Sequence, residues 1–190
     1  MSSLACPTWT LDRVAAAARD MGYLGVELAS FGFGTSPLAC EPAHTCPHKT
    51  LATLDETGVA VSGLATTLRY DAPVRPPVLG LALSDLEGPV RQGKRMIDLA
   101  ADMGCPFVRV LGMHKQPRER LATCARRIAK RLFEVVDHSR NTTVRVCIEN
   151  AGSFPTARSL EPIIEQADLQ GLLAVSYDTW SATRAGESLA

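Results

Sequence analysis

A strict alternation of short β-like runs with amphipathic helices limits this chain more than any other feature. Runs at residues 4–6, 24–29, 59–67, 107–111, 143–149 and 172–178 read as six strands, the first of them weak. Between them the spacing predicts five helices, over 11–21, 49–57, 88–103, 118–139 and 156–167. Leu11, Val14, Ala15, Ala18 and Met21 recur at helical spacing, as do Leu121, Ala125, Ile128, Leu132 and Val135. Thr10 is placed to cap the first helix, and Gly22 and Gly58 can end helices by accepting positive φ. Alternation with βα units of about 30 residues implies a parallel sheet with helical crossovers.

Two architectures fit that pattern, a doubly wound open sheet and a closed (β/α) barrel. The open sheet wants a glycine-rich phosphate turn after an early strand. Gly32-Phe33-Gly34 is a weak echo of one, and neither G-x-G-x-x-G nor a complete G-x-x-x-x-G-K-[ST] is present. The barrel reading gains from the strand ends, where barrel enzymes carry their chemistry. Glu27 lies near the end of the 24–29 run, Arg109 in the 107–111 run, Glu149 at the end of 143–149 and Asp178 at the end of 172–178. Side chains alternate between faces. With Val146, Ile148, Val175 and Tyr177 outward, Glu149 and Asp178 point inward, and the same parity turns Glu27 and Arg109 in. Charges gathered there need a metal, each other or a substrate. Two adjacent carboxylates suit a hard divalent cation. An ion pair of Glu149 with Arg109 or Arg145 is the structural alternative.

The bulk properties fit one soluble domain over 1–190. Lys plus Arg and Asp plus Glu number 20 each, so no global field favours nucleic acid. No apolar run spans a membrane, and residues 1–10 lack a secretory pattern. A reducing cytoplasm is the expected compartment for its 6 cysteines. The long loop 69–84, with Pro73, Pro76 and Pro77, reads as a lid or a surface excursion. Cys40, His44, Cys46 and His48 lie close together without a usual zinc spacing. His114 follows a strand and is a candidate proton carrier at the strand-end face. Trp9 and Trp180 flank strand ends, suited to stacking on a sugar or to packing.

Several segments resemble one family. Asp20-Met21-Gly22-Tyr23-Leu24-Gly25-Val26-Glu27-Leu28 is similar to the entry to strand two of the xylose isomerase-like barrels, the sugar phosphate isomerase/epimerase group. Ile97 to Gly104, leading into Val108-Arg109-Val110, resembles the passage from helix three to strand four. Cys147-Ile148-Glu149-Asn150 resembles strand five, and Tyr177-Asp178 with Arg184-Ala185-Gly186-Glu187 resembles the end of strand six.

The resemblance implies an incomplete TIM-type barrel lacking the last two βα units. It also implies a divalent metal, Mn²⁺ or Mg²⁺ favoured with Zn²⁺ as the alternative, weakly held if only Glu149 and Asp178 are present. Glu149 would be ligand and proton-transfer base, and Asp178 a ligand. Glu27, Arg109, His114, Arg184 and Glu187 would line the substrate site. Family members place a histidine where this chain has Ala151 or Ser181, and they draw further ligands from later strands. The implied activity, in the full-length form, is isomerisation or epimerisation of a sugar, sugar phosphate or polyol derivative. The alternatives are a non-catalytic sugar-binding or scaffold protein, a fragment of a longer enzyme, or an endonuclease of the same fold. The last is disfavoured by the neutral charge. Open sheet edges would suit a homo-oligomer.

Overall fold

The computed structural model describes residues 1–73, 87–111 and 113–188. Five strands, β1 (Gly25–Ser30), β2 (Ala60–Thr66), β3 (Phe107–Val110), β4 (Arg145–Glu149) and β5 (Leu173–Ser176), follow one another in chain order. β1 pairs with β2, β2 with β3 and β4 with β5, all in parallel. Six α-helices are described: α1 (Leu11–Asp20), α2 (Pro47–Asp55), α3 (Gly88–Asp102), α4 (Leu121–Ser139), α5 (Ala157–Ala167) and α6 (Thr179–Arg184). The parallel βα alternation expected from the sequence is therefore present.

Two details differ from the sequence reading. The expected strand at 4–6 is a 3₁₀ turn, Ser3–Ala5, with Ser2 as its cap. Pairing with β1 falls earlier, as a single parallel bridge from Ser2 to Glu27, with Glu27 N–H donating to the Met1 carbonyl at 2.8 Å. The strand expected to reach Asp178 stops at Ser176, and Asp178 caps the additional helix α6. Within the expected loop 69–84, residues 69–73 are described, with Tyr70 and Asp71 buried; the rest lies outside the described residues.

Contacts group the chain into two compact units. The first contains 1–67, 95–109 and 142–144. Its core joins Val14, Ala15 and Ala18 of α1, Leu54 of α2, Val26 and Leu28 of β1, Leu64 of β2, and Met96, Ile97 and Ala100 of α3. The β1/β2 register shifts by one residue between Val26 and Glu27, a bulge that sets Glu27 beside Gly63. Bulges of this sort re-aim a side chain.

The second unit contains 68–94, 110–141 and 145–190. Here α4 buries Ala125, Ile128, Leu132 and Val135 of the stripe read from its spacing, and Val136 beside them, while Leu121 at its start is exposed. β4 is buried at Val146, Cys147 and Ile148, on both faces, as expected for a strand in a covered parallel sheet. α5 opens with a reciprocal capping box between Thr156 and Ser159, which satisfies two of the helix's free N–H groups.

Candidate functional site

In the first unit, Arg109 Nε donates to Glu27 Oε1 at 3.1 Å, so two expected site residues are joined. They sit on β3 and β1, and β2 lies between. Gly63 and Ala65 are their register neighbours on β2. These are the smallest residues a strand can offer, and they leave the space over β2 through which the two long side chains meet. Thr66 Oγ1 donates to the Arg109 carbonyl at 2.8 Å and fixes the strand that carries the guanidinium. Glu41, absent from the sequence reading, is buried at the end of β1. Its carboxylate accepts from the Ser30 hydroxyl and from the N–H groups of Phe31 and Ala43, and so shapes the loop leaving the strand.

In the second unit, Glu149 ends β4 half-buried and stands in register with Ser176 of β5. The next residue, Asn150, is fully buried. Its Nδ2 donates to the Pro155 carbonyl at 2.7 Å and to the Asp178 carbonyl at 2.9 Å, and its Oδ1 accepts from the Asp178 N–H. One amide thus ties the end of β4 to the segment after β5. The Asp178 carboxylate accepts from Trp180 N–H at 3.0 Å and from the Ser181 hydroxyl at 2.5 Å. The Ser181 bond, aided by the backbone N–H groups of Trp180 and Ser181, holds Asp178 below the usual carboxylate range.

His114 lies after β3 and beside the loop that follows Glu149. Met113 and Gly152 bridge in parallel, and Ser153 N–H donates to the Met113 carbonyl at 2.9 Å. Gly152 has φ +64°, and a Cβ there would stand 2.9 Å from His114 Nδ1 and 2.5 Å from the Met113 oxygen. Only glycine lets the imidazole lie so close to this backbone. His114 N–H donates to Asp71 Oδ2 at 2.7 Å, and Arg69 Nη2 reaches the same oxygen at 2.5 Å. Burial pushes the Asp71 carboxyl up, but the Arg69 and His114 bonds outweigh it and hold it below its ordinary value.

The remaining two expected site residues sit at the helix ends of this unit. Glu187 accepts from Ala157 N–H, at the first turn of α5, and from the Tyr177 hydroxyl. It borders a surface groove of about 470 Å³ with Ala157, Arg158, Glu161, Ile164 and Glu165. Arg184 is exposed, with its guanidinium 5.9 Å from the Trp180 ring centroid.

Among the described residues, no three His, Cys, Asp or Glu side chains gather as a metal site. Cys40, His44, Cys46 and His48 accordingly form no zinc cluster there. Among the described residues no helix is long and apolar enough to cross a membrane.

The xylose isomerase-like TIM barrel model matches residues 15–188. The chain belongs to this family. Among solved structures it is similar to L-ribulose 3-epimerase, at 18% identity and TM-score 0.73, over 97% of this chain and 61% of that one. It is also similar to 3-keto-D-glucoside 4-epimerase from E. coli, at 15% identity and TM-score 0.75, over 100% of this chain and 71% of that one. A fusion of a xylose isomerase-like barrel with 4-hydroxyphenylpyruvate dioxygenase matches at 16% identity and TM-score 0.72, over 98% of this chain and 27% of that one. The chain therefore spans less than two thirds of the length of the fusion protein and of the ribulose epimerase. No curated protein matches it. Ser181, one of the two positions where the resemblance implied a histidine, bonds Asp178 through its hydroxyl.

Proposed function

We propose that this chain serves an isomerase or epimerase reaction on a sugar or polyol derivative, with Glu149 as the proton-transfer base. The observation that carries this reading is the half-buried Glu149 carboxylate at the C-terminal end of β4, next to the Asn150 clamp, in a chain of the xylose isomerase-like family. A carboxylate in that position can take the proton from a carbon next to a carbonyl and return it to the other face or the neighbouring carbon. His114, in the same unit as Glu149, is the candidate partner for a substrate hydroxyl.

The described residues do not by themselves fit a divalent ion. Both Asp178 oxygens accept protein hydrogen bonds, and Glu149 with Asp178 makes two ligands where Mg²⁺ or Mn²⁺ takes about six. Glu149 therefore stands in this reading as a base. A second reading, sugar binding without turnover, is favoured by the lack of a third metal-capable side chain beside Glu149 and Asp178 among the described residues.

Proton exchange in D₂O separates the two. D-allulose, D-tagatose and L-ribulose are incubated with the chain, with and without Mn²⁺, and loss of the C–H signal beside the carbonyl is followed by ¹H NMR. Catalysis predicts exchange that falls roughly 10²-fold or more in Glu149→Gln. Equal exchange in the variant would remove Glu149 from the chemistry. Saturable binding with no exchange would establish the second reading.

A further inference from the structure

The N-terminal turn and the loop after β1 bring two thiols to one buried residue. Ser3 is fully buried, and its carbonyl accepts the Cys6 N–H at 3.1 Å. Its hydroxyl accepts the Ala29 N–H at 2.8 Å and contacts the Cys40 thiol. A backbone bond from Ala39 N–H to the Pro7 carbonyl, at 2.8 Å, lays the residues before Cys40 and after Cys6 against each other. Both thiols are free and buried, and Cys6 lies close enough to act electrostatically on Cys40. By contrast, Cys46 is free and exposed, at the N-cap of α2.

We propose that Cys6 and Cys40 are a redox pair that closes to a disulfide under peroxide, joining the N-terminal turn to the β1–α2 loop. Burial raises the Cys6 thiol, but the Arg13 guanidinium, which stacks on nearby Trp9, partly offsets this, so Cys6 rather than Cys40 is assigned as the attacking thiol. The Cys6 thiol reduces hydrogen peroxide, giving Cys6 sulfenic acid and one water. The Cys40 thiol then attacks that sulfur, the S–S bond forms, and a second water leaves. The two thiols together give up two electrons and the peroxide takes them. Burial raises both thiols, so closure is slow compared with oxidation of an exposed cysteine.

The link ties down the loop that carries Glu41, whose carboxylate holds the end of β1. It closes a loop of roughly 35 residues and is expected to raise Tm by roughly 5–10 °C. The test uses the full chain with Cys46→Ser, a substitution that gives α2 a better N-cap. After mild peroxide treatment and alkylation, tryptic peptides are mapped without reduction. The proposal expects peptides 1–13 and 20–49 joined, with a loss of about 2 Da from their summed mass and a higher Tm that returns to baseline with dithiothreitol. Peptides that stay separate while both thiols alkylate on unfolding would overturn it. So would a link that forms only when peroxide is added in guanidinium, because the native geometry would then play no part.

Discussion

Asn150 shows how much one side chain can hold. It is fully buried, and its amide satisfies two carbonyls and one N–H. Truncation would leave those backbone groups buried without partners, which is the costly case for hydrogen bonds. Asn150→Ala is expected to lose about 2–4 kcal/mol in urea unfolding. A loss under ~1 kcal/mol would mean that water replaces the amide. Tyr70 presents the opposite case. Its ring is fully buried, burial pushes its hydroxyl's pKa up, and the hydroxyl has no partner among the described residues. Gly93 of α3 lies against it, since a Cβ there would stand 2.5 Å from the Tyr70 oxygen and 3.1 Å from Val135. Tyr70→Phe is therefore expected to match or exceed the parent in stability. Gly93→Ala gains ~1 kcal/mol of helix propensity but meets this clash, so it is expected to destabilise. In the Tyr70→Phe background the penalty should shrink, and a double-mutant cycle reads that coupling. Additive effects would show that the oxygen is not what Gly93 accommodates.

At the scale of elements, α4 acts as an anchor for the start of the loop after β2. Arg131 Nη1 donates to the carbonyls of Tyr70 and Ala72 at 2.8 and 2.6 Å, and Arg127 Nη2 to that of Asp71 at 3.0 Å. Arg127 also pairs with Glu119, and holds that carboxyl at about 2. The sequence predicts a helix over 118–139 that carries these residues. What the spacing could not tell is that the arginines turn back onto backbone carbonyls, because those partners lie some sixty positions earlier in the chain. Their arrangement sets a pH dependence. Glu119, Asp71 and Asp178 all have folded pKa values below their unfolded ones. Groups of that kind stabilise above the unfolded value, and the contribution is lost as pH falls through the folded one. Tm is expected to be flat above about pH 5 and to fall between pH ~4 and ~2. In Glu119→Gln that acid limb should be shallower, with a lower plateau. An unchanged limb would assign the acid transition to other carboxylates.

Across the molecule, the βα alternation was legible because its cause is local: helix periodicity, caps and β-branched runs act within a few residues. Glu27, Arg109, Glu149 and Asp178 stood out as candidates because alternating runs and their ends are visible in sequence, and the structure joins the first two in an ion pair. The capping role of Asp178 was not visible, since the run 172–178 keeps its alternation past the last ladder bond at Ser176 and only the Asn150 clamp shows where β5 stops. Asp71 and Glu41 gave no signal, because each is defined by backbone donors in distant or irregular segments. The exposed residues of β5 and α6 lead to a last expectation. Val175 and Tyr177 are 39% and 38% exposed, and Trp180 is 70% exposed. Such apolar surface favours association. The formal net charge is +0, so no long-range repulsion keeps copies apart. Sedimentation velocity from about 5 to 200 μM is expected to show a concentration-dependent rise in mass, since apolar contacts of this size give weak, micromolar-range association. Val175→Lys with Trp180→Ser should return the chain to monomer across that range. Added salt should leave the parent's association intact, because apolar contacts, unlike ion pairs, are not screened. Dissociation in 0.5 M NaCl, a condition chosen to bring the screening length to roughly 4 Å, would move the interface to charged residues, and a monomer at every concentration would show that this face stays in water.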